Sequence, residues 1–291
     1  MSAPRTVLCV GAAGSAAGLV ARSVAGAGLT VRGLVHSDDK IDAARRNGAS
    51  ETVVADLGDR AALREALRGV DAVFHIIPAF VPDEARIGQA LVDVAADAGI
   101  SRFVFSSVYH PSLLDLSNHR DKMPAEQALF DSGMEYTILQ PAMFMAQLDS
   151  VIRQAARDGV ISGPYSAQSR MAYVDYRDVA DVAALAFTTD RFVGGVFELA
   201  SPGTFSRADL ATELTRLLGR DVRAESAPPT IPDTAPVPPT MRTGLGRMFA
   251  HYDAYGFSGG NSLVLATMLG REPTTVKAYL AEKADAFGLR R

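Results

Sequence analysis

Two periods of hydrophobicity alternate through the first half of the chain. Short apolar runs rich in β-branched and aromatic residues predict strands: TVLCV from Thr6, TVRGLV from Thr30, ETVVA from Glu51, DAVFHI from Asp71, RFVFSS from Arg102 and YTILQ from Tyr136. Between them, segments with apolar residues three and four apart predict helices. These are SAAGLVARSVAGAG from Ser15, KIDAARRNG from Lys40, RAALREALRG from Arg60, ARIGQALVDVAADAG from Ala85 and KMPAEQALFDSG from Lys122. Gly28, Gly48, Gly69, Gly99 and Gly133 close these helices, where a C-terminal cap needs a left-handed backbone. The strands are continuously apolar, as in a sheet covered on both faces. Strand–helix alternation with short connections predicts an α/β fold, a doubly wound parallel (Rossmann) sheet with right-handed crossovers.

After Pro141 the rhythm loosens. FMAQLDSVIRQAARDG and YRDVADVAALAFTTD predict helices, and RMAYVD and GVFELA predict short strands. SRADLATELTRLLG predicts an amphipathic helix with Ser206 as its N-cap. Ala227 to Thr240 holds too many prolines for helix or ladder and reads as a linker or a loop over a cleft. Two or three helices complete the tail. The expected division is a dinucleotide-binding domain over 1–145, with segments near 171–200 returning to it, and a smaller, mostly helical substrate-side region over 146–291.

Composition narrows the classes. With 291 residues, 48% hydrophobic and 21% charged, the chain can bury a sizeable core. A net charge of -4 offers no basic stripe, so no nucleic-acid partner is expected. Cys9, the only cysteine, cannot form an internal disulfide, and no Cys/His cluster has metal-ligand spacing. The N-terminal MSAPRTVLCVG lacks a signal-peptide core, and no run reaches the roughly 18 apolar residues of a spanning helix. A cytoplasmic protein without a membrane partner is expected; oligomeric state, homo-oligomer included, is left open.

The first strand runs into GAAGSAAG, Gly11 to Gly18, and then into a helix. In that context Gly11 allows the sharp turn, and Gly14 lets backbone amides approach a pyrophosphate. Ala17 keeps helix and sheet close, while Ser15 and Ala16 open the helix whose positive end faces the phosphates. The competing reading is a merely compact strand–helix turn.

GAAGSAA has the G-x-x-G-x-x-G/A form of extended and atypical short-chain dehydrogenases/reductases, and VVADLGDRAALREALRGVDAVFHIIP resembles that family's third and fourth strands. GISRFVFSSV followed by SGMEYTILQPAMFM is similar to its NmrA-like branch, which also holds isoflavone-reductase-like enzymes and quinone reductases. The resemblance runs from about Thr6 to Arg223, through AYVDYRDVADVAALAF and FELASPGTFSRADLATELTRLLGR. It implies that Asp56 and Leu57 border the adenine, that Ile76, Ile77 and Pro78 pass behind the ribose and pyrophosphate, and that Ser106 lies along the cofactor. Pro141, Ala142, Met143 and Phe144 would lie near the nicotinamide. Asp56 also reads as a simple turn cap. At the end of the second strand, His36, Ser37 and Lys40 offer donors to a 2′-phosphate, whereas Asp38 and Asp39 oppose one. NADP is therefore preferred over NAD.

The family's usual Y-x-x-x-K pair is incomplete. Its lysine corresponds to Lys122, but Asn118 stands where tyrosine belongs, and an amide cannot deliver a proton. Substitutes lie in SSVYHPSLLDLSNHRDKMPAEQ: Ser107 at the family's serine position, Tyr109 with His110 behind it, and His119 three residues before Lys122. Tyr109 and His110 read equally as loop residues, and His119 as a water-facing helix start. Met143 and Met145, Ser162 to Tyr165, and YGFSGGN read first as core filling and turns, and Asp175, Arg177 and Asp178 as a packed helix start. The resemblance then implies an NADPH-dependent reductase of a small carbonyl, enone or quinone. The alternative is a non-catalytic dinucleotide sensor acting on a protein partner.

Overall fold

The computed structural model describes residues 4–228, 230–231 and 236–289. The proline-rich stretch from Ala227 to Thr240 falls partly outside the described residues.

The chain opens with β1 (Thr6–Val10), α1 (Ser15–Gly26), β2 (Thr30–Val35), α2 (Ile41–Arg46), β3 (Glu51–Val54), α3 (Arg60–Ala66), β4 (Ala72–Ile76) and α4 (Glu84–Asp97). It continues through β5 (Arg102–Ser106), α5 (Ser117–Arg120), α6 (Met123–Asp131), β6 (Glu135–Pro141), β7 (Met143–Phe144), α7 (Leu148–Asp158), β8 (Val160–Gly163) and β9 (Met171–Val174). The last elements are α8 (Tyr176–Thr188), β10 (Gly195–Leu199), β11 (Thr204–Phe205), α9 (Arg207–Leu218), β12 (Arg223–Ser226), α10 (Pro239–Tyr255), α11 (Leu263–Leu269) and α12 (Val276–Ala286). Two units result: residues 1–141 with 176–198, and residues 142–175 with 199–291.

The first unit is the doubly wound fold that the alternation predicts. Its seven strands are ordered β10-β6-β5-β4-β1-β2-β3, and every pairing from β3 across to β6 is parallel. Strand order reverses between β1 and β4, so the crevice beyond the carboxyl end of β1 is where such a sheet receives a ligand. On one face α1 packs on α8, and the buried residues of these helices include the small Ala17, Gly18 and Ala21 of α1 and Ala180, Ala183 and Ala184 of α8. Side chains this small let two helix backbones approach closely. On the other face Leu63, Leu91, Val94, Ala125 and Leu129 cover Leu8, Val73, Phe103, Phe105 and Ile138. Each such fully buried large side chain contributes roughly 1.5–3 kcal/mol. All five helix-closing glycines have positive φ, from 70° to 97°.

The second unit holds a three-stranded sheet, β11-β9-β7, and a parallel pair, β12-β8. Here the helical pattern expected from Phe144 is corrected. Met143 and Phe144 pair with Tyr173 and Val174 as strand, residues 145–147 form a 3₁₀ turn, and α7 begins only at Leu148. Long-range pairing overrides local propensity at that point. Ser206 caps α9 as the sequence predicts: its Oγ accepts from Asp209 N at 3.1 Å while the Asp209 carboxylate accepts from Ser206 N at 2.9 Å. Among the described residues no helix is long and apolar enough to cross a membrane.

Candidate functional site

The turn after β1 is built to expose backbone. Gly11 has φ +73°, a conformation that side chains disfavour, and its N–H donates to Leu34 O at 2.9 Å, tying the turn to β2. Gly14 precedes α1 without any side-chain cap. A Cβ on Gly14 would lie 3.2 Å from Gly11 O, and one on Gly18 would collide with Asn47, whose Nδ2 donates to Ala12 O at 2.9 Å. Gly14 and Ser15 are exposed and Ala16 half-buried, whereas Ala17 is buried against the sheet. The first-turn amides and the positive end of a 12-residue helix thus point at an open surface, which suits a diphosphate in both charge and shape.

Beyond β2, Ser37 Oγ donates to Asp39 Oδ1 at 2.5 Å, and Lys40 Nζ lies 3.0 Å from Asp39 Oδ2. The Ser37 hydroxyl, then Lys40, holds the Asp39 carboxyl below the ordinary carboxylate range. Two of the three donors available to a 2′-phosphate are therefore engaged by Asp39, while His36 is exposed. Asp56 makes a turn: its Oδ1 accepts from Gly58 N at 2.6 Å. Leu57 and Ile76 are half-buried, Ile77 is buried and Pro78 exposed. Pro141 and Ala142 are buried, and Met143 and Phe144 half-buried.

Lys122 is buried, against the usual habit of lysine. Its Nζ donates to Glu84 Oε1 at 2.5 Å and to Ile77 O at 2.8 Å, while Glu84 Oε2 accepts from Phe80 N at 2.8 Å. Burial pulls the Lys122 ammonium below its ordinary range and pushes the Glu84 carboxyl above its own, with their mutual attraction opposing both. The pair clamps the segment that follows β4. Nearby, His75 is fully buried against Phe105, and burial, then the Lys122 charge, pushes its pKa down to about 3, so it stays neutral.

The remaining candidates gather at the ends of β5 and β6. Ser106 Oγ accepts from Tyr176 at 2.8 Å, and Ser107 Oγ donates to Glu126 Oε1 at 2.5 Å, which also accepts from Gln140 Nε2 at 2.9 Å. Both serines are buried. Tyr109 is buried, its phenol pushed up by burial and then by the Glu198 charge, and its ring lies 4.1 Å from that of His110. His119 is 1% exposed rather than water-facing, and its Nδ1 lies 3.1 Å from His110 O; a carbonyl only accepts, so that nitrogen carries the hydrogen.

His110 stands out. Its backbone has φ +54°, a left-handed conformation uncommon outside glycine. Glu198 accepts from both its backbone N, at 3.2 Å, and its Nδ1, at 2.7 Å. Sequence reading offered His110 beside Tyr109 as a substitute for the missing tyrosine, or equally as a loop residue. The partner that orients it lies 88 residues away, beyond the reach of local spacing.

The second unit contains a cavity of about 380 Å³, lined by Met143, Tyr165, Tyr173, Arg207, Phe249 and Tyr252 among others. Met145 is fully buried core, whereas Met143 faces this cavity. Ser162, Gly163, Pro164 and Tyr165, read from sequence as turn residues only, line it too.

Fold and site together define a dinucleotide-binding α/β protein of the Rossmann type. The chain belongs to the NmrA-like family, which matches residues 4–280. It is 32% identical over 289 residues to the (4-alkanoyl-5-oxo-2,5-dihydrofuran-3-yl)methyl phosphate reductase of Streptomyces griseus, covering 97% of this chain and 99% of the relative. Two solved structures share the fold. The NADPH-dependent quinone oxidoreductase of Escherichia coli, complexed with NADPH, has a TM-score of 0.82 at 23% identity over 95% of this chain and 99% of that one. The negative transcriptional regulator NmrA, in complex with NADP, has a TM-score of 0.80 at 19% identity, with 99% of each chain covered.

Proposed function

We propose that the protein is an NAD(P)H-dependent reductase of a small carbonyl, enone or quinone, with NADPH preferred. The observation that carries the reading is the uncapped, side-chain-poor turn from Gly11 to Ala17, whose first-turn helix amides open to the surface and suit a diphosphate. Likeness along nearly its whole length to a reductase of an unsaturated lactone supports the reaction class. A bound reduced nicotinamide supplies hydride. The substrate carbon takes that hydride and its conjugated oxygen takes a proton, so that NADPH, a proton and an unsaturated carbonyl give NADP⁺ and the reduced product. His110 moves the proton, with Glu198 fixing its ring and tautomer. Tyr109 stacks on that ring, and His119 supports the His110 carbonyl. Lys122 holds the loop after β4 in place rather than donating a proton. The buried, inert Cys9, its thiol pushed up to about 12 by burial, suits a reducing cytoplasm.

A screen of quinones and enones with NADPH, followed at 340 nm, tests the reading. Consumption of NADPH is expected with at least one acceptor, and His110→Ala should lower kcat while leaving NADPH affinity intact. One feature favours the regulator alternative: Lys122 Nζ is already committed to Glu84 and Ile77. Tight NADPH binding with silence across all acceptors would replace the reductase by that sensor.

A further inference from the structure

The cavity of the second unit has an unusual electrostatic character. Most of its wall is aromatic or thioether: Met143, Tyr165, Tyr173, Phe249 and Tyr252. Against this apolar wall stands Arg207, 8% exposed. Nη1 of Arg207 donates to the carbonyls of Tyr165, at 2.9 Å, and Glu225, at 3.3 Å. The guanidinium carbon lies 4.5 Å from the centre of the Tyr165 ring. No carboxylate among the described residues forms an ion pair with it. Carbonyl dipoles and one ring face compensate a buried charge only in part. Tyr173 and Tyr252, each 4% exposed, also line the cavity, and no hydrogen bond from either hydroxyl is found among the described residues. The wall therefore combines one cation without a carboxylate partner and two phenolic hydroxyls with flat, polarisable surfaces.

We infer that this cavity takes a flat, conjugated substrate carrying an anionic oxygen group, with Arg207 as its counter-ion and specificity determinant. The inference rests on the reductase reading only in calling the bound molecule a substrate. Arg207 supplies the positive charge that the cavity otherwise lacks, and its planar fork matches the two oxygens of a carboxylate or related oxyanion. Tyr165 holds the guanidinium from one side, and Tyr173 and Tyr252 present further donors. The aromatic and methionine surfaces cover the conjugated body. Met143 links this cavity to the 141–144 segment whose family resemblance implies nearness to the nicotinamide. Sequence reading passed over Arg207 because it opens an amphipathic helix, where an arginine ordinarily faces water.

Binding without turnover tests this. Naphthalene-2-carboxylate and naphthalene-2-carboxamide share shape and differ in charge, and neither accepts hydride readily. Calorimetry on the full chain should show the carboxylate binding at least about tenfold more tightly, about 1.4 kcal/mol. Arg207→Gln should abolish the difference while leaving the carboxamide's affinity within about threefold. Because Arg207 also ties the Tyr165 and Glu225 carbonyls, Arg207→Lys provides a variant that keeps the charge and should retain the preference. The wild-type comparison stands by itself if Arg207→Gln does not fold. Equal affinities in the wild type, binding of neither probe, or a preference that survives Arg207→Gln would each overturn the inference. Failure of NADPH turnover beside an intact, Arg207-dependent preference would overturn the reductase reading and leave the anion site standing.

Discussion

The glycine turn of the first unit and the cavity of the second offer a ligand opposite kinds of surface. At the turn, from Gly11 to Gly18, side chains are small and the first-turn amides of α1 carry no side-chain cap. In the cavity, side chains do nearly everything, and its lining is collected from Met143 to Tyr252. The turn tolerates little change at Gly14 and Gly18, where an added Cβ would crowd Gly11 O and Asn47. A side-chain site tolerates substitution and changes its specificity. The contrast fits the general rule that one fold can carry unlike sites.

The largest expected effect on binding therefore lies at the turn. Gly14→Val puts a branched side chain where a Cβ already meets Gly11 O at 3.2 Å. NADPH affinity measured by nicotinamide fluorescence should fall more than about 100-fold, or about 2.7 kcal/mol, with the circular-dichroism spectrum unchanged. A variant that binds normally would mean that the amides of this turn are not the cradle.

Next comes Lys122, where the first unit does rely on side chains. Lys122→Ala leaves the Glu84 carboxylate buried without its cation, and urea unfolding should show a loss of about 3–5 kcal/mol. Lys122→Met combined with Glu84→Gln should recover most of that loss. If the single variant is as stable as wild type, the clamp after β4 is not what holds that segment.

A smaller change is expected at the end of β2. Asp39→Asn frees Ser37 and Lys40 from a carboxylate and removes its repulsion of a 2′-phosphate. The ratio of NADPH to NADH affinity should rise roughly tenfold, equal to one step of about 1.4 kcal/mol. An unchanged ratio would place the 2′-phosphate elsewhere.

The smallest effect concerns α9, which carries Arg207 into the cavity wall. Removing its cap by Ser206→Ala should cost about 1 kcal/mol. The Asp209 carboxyl of the same capping box is held below its ordinary range, chiefly by the Ser206 amide. Its contribution is therefore present above the unfolded carboxylate pKa and fades as pH falls through the lowered folded value. Acid titration of the wild type against Asp209→Asn should show the difference vanishing at the acid end.

The same contrast decides what the sequence could reveal. Strand, glycine turn and helix are contiguous, so their spacing revealed the β1–α1 turn, and the cap at Ser206 is equally local. Lys122 was legible as a family position, but its partner Glu84 lies 38 residues away and reads alone as an ordinary helix-start acid. His119 sits in SNHRDK, a polar stretch that suggests solvent, yet tertiary packing buries it. Phe144 looks helical until β9 pairs with it. No local pattern announces that Tyr165, Arg207 and Tyr252 share a cavity, because only long-range folding brings them together.

A crystal of the protein soaked with NADPH provides the most direct test of the central claim. The pyrophosphate should lie within hydrogen-bonding distance of backbone amides between Gly11 and Ala17, at the start of α1. A dinucleotide bound elsewhere, or a turn left empty at saturating NADPH, would contradict it.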